Sequence, residues 1–214
     1  MKNPDTPTDG ETRSRHLRIT EPSPWLRRFA SLIPLDGPSN GAVLDLAAGG
    51  GRHGRYLQGL GHPVTAIDRD ISALENFDGA EVIEADLEAD PAPFSPGGVL
   101  DGRNFAGVCV INYLHRPLLP GLIGLLDPGG VLIYETFARG NEEFVRPRNP
   151  DHLLKSGELL DLVRSRLQVI AYEHGIIEAA EIAGVKERIC AVNNLDSSDR
   201  DDNEPAPKPV IQGI

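Results

Sequence analysis

Several classes of protein are excluded by what this chain lacks. It has only two cysteines in 214 residues, Cys109 and Cys190, each inside an apolar run and without CxxC spacing. Neither a disulfide framework nor a zinc site is expected, and both thiols are predicted to be buried and structural. No apolar run approaches the ~18 residues of a membrane span, and the opening MKNPDTPTDGETRSRHLR has no leader-like apolar core. Cytoplasmic location is therefore the expectation, with no membrane partner. Basic blocks are also missing: 21 Lys and Arg face 32 Asp and Glu, a net charge of −11. Nucleic acid, which rewards a basic footprint through counterion release, is not an expected partner. No internal repeat is visible, which argues against a solenoid. What remains is ordinary for a globular domain, 40% hydrophobic and 25% charged, with 23 glycines and 18 prolines that imply many tight turns.

The pattern of polarity divides the chain into a polar arm at 1–21, one domain at 22–195 and an acidic, proline-rich tail at 196–214. Both ends read as flexible or disordered because they lack apolar periodicity. Inside the domain, short apolar runs alternate with helical patterns, the signature of a mostly parallel sheet covered on both faces. Strands are predicted at Ala42 to Ala47, Val64 to Asp68, Val82 to Ala85, Gly107 to Ile111 and Val131 to Phe137. Helices are predicted at Arg52 to Leu60, Leu118 to Leu126 and Ser156 to Arg166, the last with Ser156 as N-cap. Leu167 to Ile177 and Ile182 to Val192 read as two more strands joined by Glu178 to Glu181. Four residues cannot make a parallel crossover, so these two must pair antiparallel. The fold class expected is α/β: a Rossmann-like, seven-stranded, mostly parallel sheet with an antiparallel last strand and helices on both faces. The Pro- and Gly-rich segment Leu87 to Asn104 and the short stretch after Asp70 leave little room for the second and third crossover helices.

The strongest local signal is VLDLAAGGGRHGRYL, Val43 to Leu57, where a strand, a glycine turn and a helix follow in order. Glycines let backbone approach a ligand with no Cβ in the way, and the helix start offers free N–H groups. Asp45, inside the strand, is costly to bury as a charge and implies a partner. Asp68 ends the second strand, seventeen residues after Gly51, where a carboxylate can accept both hydroxyls of a ribose. Asp86 follows the third strand. Three acids at successive strand ends would line the crevice where open α/β sheets bind ligands.

Together these residues resemble the class I S-adenosylmethionine-dependent methyltransferases. The family's acidic-x-Gly/Ala-x-Gly-x-Gly motif falls on Asp45, Ala47, Gly49 and Gly51. Asp68 is similar to its ribose-binding acid, and Asp86 with Leu87 to the pair that flanks adenine. VCVINYLHR resembles its fourth-strand segment and LLDPGGVLIYETF its Pro-Gly-Gly entry to strand five. The likeness spans Gly41 to Asn194 and looks closest to small-molecule enzymes of the tellurite-resistance or thiol methyltransferase kind. It implies S-adenosylmethionine as cofactor and in-line transfer of its methyl group to a small-molecule acceptor. Asn112 would then contact the methionine moiety. His115, Tyr113 and Glu135, at the ends of strands four and five, are candidates for catalysis. Arg116 and the arginines after strand five, Arg139, Arg146 and Arg148, are candidates for holding an anionic acceptor, since guanidinium pairs carboxylate or phosphate bidentately. Arg52 and His53 would face the cofactor carboxylate. Two other readings stay open: an NAD(P)-binding oxidoreductase, which shares the glycine pattern, and a non-catalytic module that binds S-adenosylmethionine. The acceptor's identity and the oligomeric state are not legible.

Overall fold

The computed structural model describes residues 19–178, 183–195, 204–209 and 211. Most of the expected N-terminal arm, parts of the expected tail and the centre of the connection before the last strand lie outside the described residues.

In chain order the elements are α1 (Pro24–Phe29), β1 (Val43–Leu46), α2 (Arg52–Gly59), β2 (Val64–Asp68), β3 (Glu81–Glu84) and β4 (Phe105–Ile111). They continue with α3 (Leu119–Leu122), β5 (Leu126–Phe137), α4 (Glu158–Val163), β6 (Gln168–Ile177) and β7 (Gly184–Val192). The seven strands form one sheet in the order β3-β2-β1-β4-β5-β7-β6. β1 to β5 pair parallel, and β7 runs antiparallel to both β5 and β6. The expected fold class is the one observed, including the antiparallel terminal pair. No helix among the described residues is long and apolar enough to cross a membrane.

The central strands are apolar nearly throughout because both faces are covered, and β1 and β4 are buried at every position. Period-two alternation sends Leu44, Leu46, Val108, Val110 and Leu132 into one core with α3 and α4. Val43, Cys109, Ile111, Ile133 and Cys190 enter the other, with α1 and α2. Both cysteines are free and buried, as expected, and burial raises both thiol pKa values, that of Cys190 to about 12.

α1 is absent from the sequence reading. Ser23 caps it by accepting from the Trp25 amide, and proline occupies its first turn, where the missing N–H costs nothing. Its Trp25 indole Nε1–H donates to the Ile189 carbonyl at 3.1 Å, pinning the helix to β7.

Two predicted helices need correction. Leu118 to Leu126 is a four-residue helix between two 3-10 turns, and β5 already begins at Leu126. Pro120, Gly121 and Gly124 are poor helix formers. The Asp-Pro-Gly-Gly segment is drawn into the sheet by bonds from the Gly129 amide to the Asn193 carbonyl (2.6 Å) and from the Asn193 amide to the Gly130 carbonyl (2.9 Å). α4 is capped from across the fold, not by Ser156. The Glu187 carboxylate of β7 accepts from the amides of Gly157 (3.1 Å) and Leu159 (2.6 Å), satisfying first-turn donors that Gly157 cannot cap itself. The expected loop at 87–104 and the short turn at Ser72–Leu74 are present.

Candidate functional site

The chain runs outward from β1 to β2 and β3, then returns to β4 on the other side of β1. Connections on opposite sides part here, opening a crevice at the carboxyl ends of β1 and β4. A cleft of about 1020 Å³ lies there, bounded by the β1–α2 loop, the ends of β2 and β4, and the segment after β5.

Every second residue of the β1–α2 loop is left-handed, with φ of +59° at Ala47, +56° at Gly49 and +73° at Gly51. The glycines do different work. A Cβ on Gly49 would meet nothing within 4 Å, so its face is open to the cleft it lines. A Cβ on Gly51 would lie 2.6 Å from Leu74 Cδ2, so this glycine serves packing, and the structure places it outside the residues lining the cleft. Asp45 lies beneath the loop, fully buried, its carboxylate accepting from the Gly54 amide at 2.8 Å. Burial pushes its pKa up to about 7, with the Asp68 charge adding to the effect. It shapes the loop from below and does not line the cleft.

Asp68 lines the cleft and ties loop to strand, since one oxygen accepts from the Gly49 amide at 2.8 Å and the other from the Asp70 amide at 3.1 Å. Exposed Asp86 and buried Leu87 line the same end, with Asp86 accepting from the Glu88 amide at 2.9 Å. Thus Ala47, Gly49, Asp68, Asp86 and Leu87 converge on one region, while Asp45 and Gly51 stand behind it.

At the other end the predicted residues separate. Asn112 lines the cleft with a left-handed φ of +59°. Tyr113 lines it too; its hydroxyl is buried without a hydrogen-bond partner among the described residues, and burial raises its pKa above the ordinary range. His115 is outside the lining, its Nδ1 3.9 Å from Glu88 Oε2. Glu135 is sealed beneath the floor, only 3% exposed: Lys186 Nζ donates to one oxygen and Ser23 Oγ to the other at 2.9 Å, with Arg188 nearby at 3.8 Å. A carboxylate so held answers its buried charge and is not offered to a ligand. Arg116 is committed to Glu158 and to the carbonyls of Asp151 and Leu153. Arg139 pairs with Glu142. Arg146 and Arg148 line the cleft, the latter with no hydrogen bond or ion pair among the described residues.

Two residues gain importance from the structure. His53 lines the cleft although only 6% exposed, and its Nε2 is buried without a partner among the described residues. Burial, with Arg52 and Lys186 nearby, lowers its pKa to about 3 and keeps the ring neutral. Lys186 was missed altogether. Its only sequence signal is a pair of cations, Lys186 and Arg188, at alternate positions of a strand, matched by Glu135 in β5. The register sets Glu135 opposite Arg188 and Phe137 opposite Lys186.

No protein-family model and no curated protein matches the sequence. Solved structures do match by shape. TehB from Haemophilus influenzae aligns over 72% of this chain with TM-score 0.57 and 17% identity, and the chain spans 57% of that protein's length. The glycopeptide N-methyltransferase MtfA, complexed with S-adenosylhomocysteine, aligns over 81% of this chain and 90% of its own at 22% identity and TM-score 0.53. The Burkholderia thailandensis 1,6-didemethyltoxoflavin-N1-methyltransferase, with bound 1,6-didemethyltoxoflavin and S-adenosylhomocysteine, aligns over 91% of this chain and 93% of its own at 16% identity and TM-score 0.53. The fold is that of the class I S-adenosylmethionine-dependent methyltransferases. At these identities the likeness speaks for the fold, and chemistry has to be argued from the cleft.

Proposed function

We propose that this protein is an S-adenosylmethionine-dependent methyltransferase acting on a small-molecule acceptor. The observation that carries the reading is the joint between Gly49 and Asp68: a glycine face open to the cleft, held by a carboxylate that also lines it. The residues fit a nucleoside. Asp68 keeps lone pairs for sugar hydroxyls, Leu87 offers an apolar edge beside Asp86, and Asn112 with the β1–α2 loop would receive the amino-acid end. When bound, the cofactor supplies a methyl group already activated by its sulfonium.

The chain's own contribution is then position, which can be worth roughly 7 to 11 kcal/mol when two reactants are well aligned. Of the three catalytic candidates, Tyr113 is the one the cleft includes, and its unpartnered O–H is available to orient an acceptor. Glu135 and His115 take no such role: the first is committed to Lys186 and Ser23, the second lies outside the cleft. His53, neutral down to about pH 3, orients by hydrogen bonding and is too weak a base to take a proton near neutrality. Arg146 and Arg148 favour an acceptor that arrives as an anion and needs no base. Two buried free thiols suit a reducing, cytoplasmic setting.

Calorimetric titration with S-adenosylhomocysteine tests the reading. Micromolar binding is expected, sharply weakened by Gly49→Arg, which fills the open face, and by Asp68→Ala. Undiminished binding in both variants removes the assignment.

A further inference from the structure

Between cleft and core lies a small charged device that the proposed reaction does not use. Lys186 is 4% exposed and bonds two groups, the Glu135 carboxylate and Asn112 Oδ1, the latter at 3.0 Å. An ammonium has three donors and no acceptor, so the atom Asn112 turns toward it must be the carbonyl oxygen. This settles the orientation of the amide. Its oxygen faces the protein, and its NH₂ group, with no partner among the described residues, is left to the cleft that Asn112 lines. Asn112 is also fixed in backbone: it adopts φ +59°, and its amide donates to the Glu135 carbonyl at 2.8 Å.

We infer that Lys186 is a positioning residue which, through Asn112, makes the end of β4 a hydrogen-bond donor and so selects an oxyanion, and not an ammonium, as the group seated there. The inference rests on the proposed methyltransferase reading. Glu135 explains how the cation is kept in place, since an unpaired buried ammonium would shed its proton or leave the site. Without Lys186 an asparagine presents oxygen or nitrogen with equal ease; with it, only donors remain. Tyr113 O–H and Arg146 and Arg148 line the same cleft and extend this polarity. The oxyanion has two possible sources, the carboxylate of the cofactor's amino-acid end or an anionic acceptor, and the two separate by experiment.

Three substitutions and one glycine background test this. Asn112→Asp keeps shape and tolerates the left-handed backbone, but replaces the donors with a carboxylate. Lys186→Gln frees the amide to turn, while Lys186→Arg restores a donor-only cation. Calorimetry is run with S-adenosylhomocysteine, with 5′-methylthioadenosine, which lacks the amino-acid carboxylate, and with selenite added to the S-adenosylhomocysteine complex. If the cofactor supplies the oxyanion, Asn112→Asp and Lys186→Gln weaken S-adenosylhomocysteine at least tenfold and leave 5′-methylthioadenosine unchanged. If the acceptor supplies it, S-adenosylhomocysteine is unchanged and selenite is lost. In either case Lys186→Arg stays within about threefold of the native protein. In an Asn112→Gly background, Lys186→Gln adds little, because the lysine acts through the amide. Native-like binding of both probes by Asn112→Asp overturns the inference, whether or not Lys186→Gln folds. Failure of the native protein to bind S-adenosylhomocysteine would instead sink the methyltransferase reading.

Discussion

The two ends of the cleft use charge in opposite ways. Where β1, β2 and β3 end, Asp68 and Asp86 stand at the surface of the cleft, bonded among the described residues only to nearby backbone amides. Where β4 and β5 end and β7 begins, Glu135 and Lys186 lie below the surface, bonded to each other and to groups far along the chain. The first arrangement leaves carboxylate lone pairs for a ligand at little cost to folding. The second holds the fold and acts on a ligand only through Asn112. Substitutions should therefore divide, with stability losses at the β5–β7 end and binding losses at the β2–β3 end.

The largest effect expected is on folding. Glu135→Ala leaves Lys186 buried without its counter-charge, a change that typically costs about 3 to 5 kcal/mol, read as a lower denaturation midpoint. Arg188, near Glu135 and held by Glu173 against the Trp25 ring, would lose an anion as well. Asp68→Ala should cost far less stability, since Asp68 is only partly buried and its two donors can turn to water. Equal losses at the two positions would erase the contrast.

A second effect concerns pH and comes from the boundary between the two ends. Burial raises Asp45 from 3.8 to about 7, so the folded state holds a proton that the unfolded chain has released. This makes stability fall as pH climbs from about 4 to 7. His53 does the reverse. Its folded pKa of about 3 against 6.5 means that the unfolded chain takes up the proton first, so stability rises from about pH 3 to 6.5. Each amounts to roughly 4 to 5 kcal/mol at most, at 1.36 kcal/mol per pKa unit, and they nearly cancel. Compared with the native protein, Asp45→Asn should gain stability with pH and His53→Gln should lose it, in denaturant titrations at pH 4, 5.5 and 7. Parallel profiles would mean that neither group is perturbed. Next in size, Asp68→Ala should weaken S-adenosylhomocysteine on the order of a hundredfold, equivalent to about 2.7 kcal/mol.

The same contrast explains what was legible in the sequence. The β2–β3 end is built from local relations: a glycine turn after a strand, and an acid at each strand's end. Spacing along the chain reports these directly, and Asp68 meets Gly49 across only 19 positions. The β5–β7 end depends on register. Glu135 meets Lys186 across 51 positions and Ser23 across 112, and no local pattern encodes such pairings. Glu135 was read as a catalytic candidate because a carboxylate at a strand terminus looks available until its partner strand is in place. Arg116 misleads in the same way, since its acceptors lie at Asp151, Leu153 and Glu158. The helix α4 falls inside the predicted span Ser156 to Arg166, but its cap is not legible in the sequence, because Glu187 arrives from β7.

The smallest effect tests the rim. Arg146 and Arg148 line the cleft on the segment after β5, and neither is buried, so each is screened by solvent and worth little to stability. Arg139, in the same segment, is spent on Glu142, and this gives an internal control. Replacing Arg146 and Arg148 together by alanine should raise the KM for an anionic acceptor about tenfold, equivalent to about 1.4 kcal/mol, with S-adenosylhomocysteine affinity and the denaturation midpoint unchanged. Arg139→Ala should leave all three alone. Added salt should weaken the native protein toward the double variant, because rim charges act through solvent. A KM that ignores both salt and the substitutions would make the segment a solvated loop. The choice of acceptor would then fall to Tyr113 and the amide of Asn112.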